Sequence, residues 1–213
     1  MTGEEQTLRA GLAQLQLELN DLQISQLLSY LKLIAKWTQV YNLTAVRDPA
    51  EMLTHHLLDS LAVIAPLQRQ MSEGSLLDVG AGAGLPGVVI AVCCPGIDVT
   101  CVDTVAKKAT FIRQAALELK LPNLAGLHAR VESIAQPYDV ICSRAFASLV
   151  DFTQWSKAAL APEGVWMAMK GKHPGGEIAA LPSTIDVFHV EQLNVPGLGA
   201  ERCVVWMRPK SVA

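Results

Sequence analysis

Charge is scarce in this chain. Only 17% of its 213 residues are Asp, Glu, Lys or Arg, against 51% hydrophobic ones. That balance argues against global disorder and for a packed core. Long apolar runs are missing too. No stretch approaches the roughly 18 residues that would cross a bilayer. The start, "MTGEEQTLRAGL", lacks the basic-then-apolar order of a secretory signal. The expected location is the cytoplasm, with no membrane partner. Paired cysteines are absent as well. Cys93, Cys94, Cys101, Cys142 and Cys203 form no CxxC pair, are odd in number and lie in apolar runs. They read as small buried hydrophobes, and neither a metal site nor a disulfide is expected. Repeats and low-complexity tracts are lacking. Net charge is −3, which does not announce a nucleic-acid binder. Residues 107–213 nevertheless hold 12 basic against 9 acidic side chains, enough for a local basic face.

What the chain does have is glycine, concentrated in one place. In "LLDVGAGAGLPGVVIA", residues 76–91, four glycines fall within eight residues between two apolar runs. Something is expected to approach that backbone closely enough for side chains to be in the way.

The surrounding texture places the loop. Residues 4 to about 72 read as helices, with Leu27, Leu31, Ile34, Trp37 and Tyr41 on one helical face. Asp48 is a candidate cap, Pro49 suits a first helical position and Glu51 stands three after the cap, so a helix is predicted from Pro49 toward Pro66. From residue 75, β-prone runs alternate with helical ones. Strands are predicted at 75–79, 98–102, 124–129, 138–143, 164–170, 184–193 and 202–208, and helices at 86–94, 104–120 and 148–160. The last two strands are joined by "NVPGLGAE" with no helix between, which predicts an antiparallel hairpin. The expected class is α/β: a Rossmann-like class I SAM-dependent methyltransferase fold, its seven-stranded, mostly parallel sheet ending in that hairpin. The expected division is an N-terminal helical cap, 1–72, and a methyltransferase domain, 73–213.

Two cofactor patterns overlap in the loop. Gly82, Gly84 and Gly87 fit the dinucleotide fingerprint GxGxxG, whereas Asp78, Gly80, Gly82 and Gly84 fit the DxGxGxG of S-adenosylmethionine enzymes. An acid at the end of the first strand can face a cationic group, which suits the amino-acid end of a sulfonium cofactor. The roughly 138 residues after position 75 leave little room for a dehydrogenase's second half and substrate domain. Asp103 ends the second strand, where a carboxylate can accept from both ribose hydroxyls of an adenosine. Asp103 also fits as the N-cap of the next helix. Arg130, Val131 and Glu132 form a turn after the third strand that can read an adenine edge through its backbone. Arg144 ends the fourth strand. Lys107 and Lys108, with Arg113, read as a solvated helical face or a phosphate-binding strip. His56 and Asp59 share a helical face and suit a tie between the helices and the sheet, or an RNA-lining surface.

"YNLTAVRDPAEMLTHHLLDSLAV", "LLDVGAGAGLPGVVIA", "VDTVAKKATFIRQ", "ARVE", "SRAFASL" and "MKG", in this order and spacing, resemble the bacterial ribosomal RNA small subunit methyltransferase G family, also called glucose-inhibited division protein B. The resemblance runs from about Trp37 to Gly171 and returns weakly at "RCVVWMRPK". It implies methyl transfer from S-adenosyl-L-methionine to N7 of a guanine in the 530 loop of 16S rRNA. The implied partner is 16S rRNA or the small ribosomal subunit, assembled or assembling. It also implies cofactor contacts at Gly80, Leu85, Val131, Glu132 and Arg144, and RNA-contacting or site-lining roles for Arg130 and Arg202. Thr104, Met169 and Arg208 depart from residues that are frequent in the family.

The chemistry agrees with that implication. Guanine N7 has an exposed lone pair and no proton, so Arg144 is expected to position the base and no general base is needed. An Asn-Pro-Pro-Tyr run and a Pro-Cys nucleophile are both lacking. Two other classes stay open on the residues alone: an NAD-dependent oxidoreductase, and a non-enzymatic adenosine-cofactor-binding protein.

Overall fold

The structure, a computed structural model, describes residues 2–210, with the side chains of residues 49 and 50 left out. Helix α1 (Gly3–Gln14) starts where Thr2 Oγ1 accepts from the Glu5 N–H. Helix α2 (Asp21–Tyr41) opens on a capping box between Asn20 and Gln23 and ends at Asn42 in a left-handed conformation. Leu27, Leu31 and Ile34 of the expected face are buried, but the face runs out toward solvent, where Tyr41 is exposed.

The helix predicted from Pro49 toward Pro66 is broken. It consists of α3 (Pro49–Met52), a π-helical segment (Leu53–Leu58) and α4 (Asp59–Leu61), and then α5 (Ile64–Gln70) begins anew. The Asp48 carboxylate accepts from the Glu51 N–H, as the sequence predicts. Pro66 lies in the first turn of α5, where no intrahelical N–H is required.

The sheet follows: β1 (Gly74–Val79), α6 (Gly87–Cys93), β2 (Ile97–Asp103), α7 (Ala106–Glu118), β3 (Leu124–His128), β4 (Tyr138–Arg144), α8 (Leu149–Ser156), β5 (Leu160–Lys170), α9 (Gly175–Ala179), β6 (Ile185–Leu193) and β7 (Arg202–Pro209). Strand order is β3-β2-β1-β4-β5-β7-β6. Strands β1 to β5 pair in parallel, and β7 runs antiparallel between β5 and β6. The terminal hairpin is therefore as expected. Helix α9, spelled GGEIA, has no helical pattern in the sequence. Its Glu177 accepts from the Leu149 N–H and from Lys170 Nζ, so tertiary contacts hold it.

Both faces of the sheet are covered, and successive residues pack to opposite sides. Leu76, Val99, Val140, Met167 and Val204 join one core cluster; Leu77, Val102, Ile141, Trp166 and Val205 join the other. The first cluster also takes in Leu8, Leu12, Leu27 and Ile34. Residues 1–72 and 73–213 thus share a core across one sheet face. Gln23 and Gln26 of α2 donate to the carbonyls of Val92 and Leu119, and the Tyr30 hydroxyl donates to Ala83 in the glycine loop. The helices brace the loop from behind. All five cysteines are buried and unpaired, and among the described residues no helix is long and apolar enough to cross a membrane.

Candidate functional site

The glycine loop leaves β1 at the carboxyl edge of the sheet, beside the crossover where strand order reverses from β1 to β2 on one side and β4 on the other. Doubly wound sheets bind ligands at such a point. The N–H groups of Gly80 and Ala81 donate to the Val102 carbonyl, and the Gly82 N–H donates to Asp103 Oδ2 at 3.0 Å. The glycines are not equivalent. A Cβ at Gly80 would lie 2.3 Å from Phe146, one at Gly84 2.5 Å from Val88, and one at Gly87 2.3 Å from Cys101 Sγ. Those three are excluded by the protein's own packing. At Gly82 the nearest atom is the Gly80 carbonyl oxygen at 4.0 Å. The missing side chain there leaves open space, and φ of +59° demands glycine in addition.

Two cavities meet along this edge, both bordered by Gly80 and Ala145. Ala145 has φ of +52°, uncommon for a residue with a Cβ. The β2-side cavity, about 660 Å³, is lined by Val102, Asp103, Lys108, Arg130, Val131, Glu132, Phe146 and Trp155 among others. Asp103 is only 6% exposed. Its Oδ1 accepts from the Val105 N–H at 2.8 Å, yet the N-cap of α7 is Val105, without a side-chain cap bond. Asp103 therefore braces two loops and is not the helix cap. Val131–Ser133 form a 3-10 turn, with Val131 buried. Glu132 turns outward to Arg130 at 3.0 Å. Its own backbone N–H, and then Arg130, hold its carboxyl below the usual range.

The arginine cavity, about 500 Å³, is lined by Gly80, Gly82 and Leu85 of the loop, by Leu43 and Thr44 of the connection after α2, by His55, His56 and Asp59 of the helical stretch that follows, and by Arg144, Lys170 and Arg202. Its wall is built on the π-helical segment. The Asp59 N–H reaches back five residues to the Thr54 carbonyl, and the neighbouring His55 carbonyl accepts from Arg144 Nη1 at 2.9 Å. π segments recur at functional sites because they displace backbone groups from the α-helical ladder. Asp59 Oδ2 pairs with Arg144 Nη1 and its Oδ1 with Arg202 Nε, each at 2.9 Å. One carboxylate thus joins the helices to the ends of β4 and β7. His56 Nε2 lies 3.0 Å from Thr44 Oγ1. Burial, with Arg144 nearby, lowers the His56 pKa to about 4, so the ring is neutral at physiological pH.

Several expected site residues stand elsewhere than the sequence suggests. Asp78 lines neither cavity. It is fully buried beneath the loop, with Oδ2 accepting from the Gly87 N–H at 2.8 Å and Oδ1 without a hydrogen-bond partner. Arg202 is part of the arginine cavity's wall, the site-lining place among the two that the resemblance implies. Lys108 is 3.5 Å from Asp103 Oδ2 and lines the β2-side cavity. Lys107 is exposed and lines neither cavity, while Arg130 is exposed at a cavity rim. Ala145 and Phe146 lie in "SRAFASL" and Lys170 in "MKG", but none of them, nor Trp155, was expected at the site. Only strand topology brings them here.

Burial raises the Asp78 pKa from 3.8 to about 7, against the opposing Gly87 N–H bond. Between those values the folded state holds a proton that the unfolded state has lost. Stability from this group is therefore greatest below pH 4 and declines as pH rises toward 7. His56 acts in the opposite sense between about pH 4 and 6.5. Asp78→Asn is accordingly expected to gain stability relative to wild type as pH rises from 4 to 7, by up to a few kcal/mol, on the order of 1.4 per pKa unit. Urea denaturation at several pH values measures it. A constant difference across that range would mean that Asp78 is ionised in the fold throughout.

Comparison with known proteins converges on one family. The model for rRNA small subunit methyltransferase G matches residues 23–205. Proteins named ribosomal RNA small subunit methyltransferase G match over nearly their whole length. One from a Polaromonas species is 71% identical, covering 100% of this chain and 97% of that protein. Another, from Albidiferax ferrireducens, is 68% identical, covering 98% of each. Solved structures agree on the fold alone. A SAM-dependent methyltransferase from Aquifex aeolicus superimposes with a TM-score of 0.56 at 17% identity, over 75% of this chain and 97% of that one. A ribosomal protein L11 methylase from Lactobacillus delbrueckii does so with 0.58 at 13%, over 72% and 79%. The chain is a methyltransferase with the class I fold, and it belongs to the ribosomal RNA small subunit methyltransferase G family.

Proposed function

We propose that the chain transfers the methyl group of S-adenosyl-L-methionine to N7 of a guanine in the 530 loop of 16S rRNA, acting on the RNA or on the small subunit, assembled or assembling. The observation that carries the N7 reading is the commitment of Asp59. It is the one carboxylate lining the arginine cavity among the described residues, and both its oxygens are held by arginines. With both oxygens turned to arginines, no free carboxylate faces the cavity. Guanine N7 has no proton to remove, so the reaction needs position and charge rather than a base.

The residues fit the cofactor. The open space at Gly82 admits a ligand against backbone, and the paired cavities suit a molecule with an adenosine end and an amino-acid end. Asp103 would hold the ribose, the Val131–Glu132 turn the adenine edge, and Gly80, Gly82, Leu85 and Arg144 the amino-acid end. When bound, the cofactor supplies a methyl group on a positively charged sulfur. Arg144 keeps guanidinium N–H groups beyond its committed Nη1 for guanine O6, the acceptor left when N7 must attack. Arg130 and Lys107, both exposed, are the candidate phosphate contacts.

The test is methyl transfer to small subunits and to 16S rRNA from cells lacking this protein, with the modified nucleoside identified by mass spectrometry and mapped. The expected product is 7-methylguanosine at one position. A methyl group on an exocyclic amine, a ribose or a ring carbon overturns the N7 reading.

Asp103→Ala is expected to weaken S-adenosylhomocysteine binding by about 1.5–3 kcal/mol per charge-assisted bond lost. Calorimetry reads this directly. An unchanged dissociation constant with a lowered melting temperature would reduce Asp103 to a brace for Gly82 and Val105.

A further inference from the structure

We infer that Asp59 is a charge-balancing residue that lets the arginine cavity favour a cationic sulfonium ligand over its uncharged thioether product. The inference rests on the cofactor assignment above and goes beyond it.

The cavity is rich in positive charge. Arg144, Arg202 and Lys170 line it, and Asp59 is the one carboxylate among the described lining residues. Lys170 has a counter-ion of its own, Glu177 at 2.8 Å. The His56 ring is neutral. The remaining balance is two guanidinium groups against one carboxylate. Without Asp59 both arginines would lose their ion-pair partner.

The expected ligand makes that balance matter. S-Adenosylmethionine carries a positive charge on sulfur, and S-adenosylhomocysteine differs by one methyl group and that charge. Two guanidinium groups without that partner would repel the reactant and leave the product nearly unaffected. The Asp59 side chain is 4% exposed, so water and salt screen its charge little. A cross-link between helices and strands could be built from apolar contacts alone. A buried carboxylate shared by two arginines also sets the local potential.

The structural role and the electrostatic role predict different results. Asp59→Asn and Arg202→Gln break the same ion pair but change the cavity's charge in opposite directions. If the pair only supports the fold, both variants weaken both ligands alike. If it sets the potential, the affinity ratio of S-adenosylmethionine to S-adenosylhomocysteine falls in Asp59→Asn and rises in Arg202→Gln. Each shift should be roughly tenfold, the effect of one unit charge several ångströms away at an effective dielectric of about 20 to 40.

Titration calorimetry with both ligands on wild type and both variants gives the ratios, and thermal melts report folding. Opposite shifts support the inference. Unchanged ratios, or shifts of the same sign, overturn it. Should Asp59→Asn fail to fold, Arg202→Gln carries the sign alone, and an unchanged or lowered ratio overturns the inference. Failure of the wild type to bind either ligand would overturn the cofactor assignment itself, and the charge-balance inference with it.

Discussion

Gly82→Val is expected to lower S-adenosylhomocysteine affinity by roughly 100-fold or more, equivalent to at least about 2.7 kcal/mol, while the fold survives. The space beside Gly82 is the reason. A Cβ there meets nothing closer than the Gly80 carbonyl oxygen at 4.0 Å, so the first added carbon clashes with no part of the protein. The valine branches instead fill volume in the arginine cavity. The φ of +59° adds strain of about 1–2 kcal/mol for a residue with a Cβ, a fraction of a typical domain's stability. Gly82→Ala should fall between wild type and valine. Gly84→Val makes the contrast, because its Cβ would strike Val88 at 2.5 Å and the loss should appear in stability first. Calorimetry paired with thermal denaturation separates the cases. Normal ligand binding by folded Gly82→Val would leave the loop as a turn and nothing more.

Arg144→Ala is expected to reduce methyl transfer by about two to three orders of magnitude, the range seen when a preorganised donor is removed from an active site. The Arg144 side chain is 20% exposed, and its Nη1 bridges the His55 carbonyl and Asp59. Truncation leaves Asp59 with Arg202 as its remaining ionic partner. The stability cost should stay below the about 3–5 kcal/mol of a buried charge left wholly unpaired. Arg144→Lys should not restore the rate, because an ammonium lacks the planar fork that can hold Asp59 and face guanine together. Single-turnover methyl transfer on small subunits at saturating cofactor measures the effect. Wild-type rates in a folded Arg144→Ala protein would remove Arg144 from the reaction.

The sheet was legible because its signals are local. Each strand has a short β-prone run, and crossovers of helix length enforce parallel pairing. The hairpin was legible because "NVPGLGAE" cannot hold a helix. The broken helix after Pro49 was not, since the apolar pattern through Leu53, Leu57 and Leu61 reads the same through an inserted π turn. Helix α9 was missed for a related reason. Two glycines argue against a helix, and the Glu177 contacts to Leu149 and Lys170 that hold it come from distant parts of the chain.

The candidate site divides in the same way. Asp103 was readable from its place at the end of a strand, because strand ends in a parallel sheet are where ligands lie. Asp78 stands one residue before the end of its strand, and its side chain lies buried under the loop. Arg202 is named in the sequence only through the family resemblance, and it lies against Asp59, 143 residues away in the chain.

By itself the sequence determined the class of fold, the edge of the sheet where the two cavities lie and the glycine loop that borders them. These follow from periodicity and from glycine's lack of a Cβ, both properties of neighbouring residues. The tertiary structure alone decided which glycine faces open space, which acids are buried under the loop, and that Asp59 holds Arg144 and Arg202 together. Those are pairings between groups far apart in the chain, and their energies depend on burial and distance, which exist only once the sheet and the helices have closed on each other.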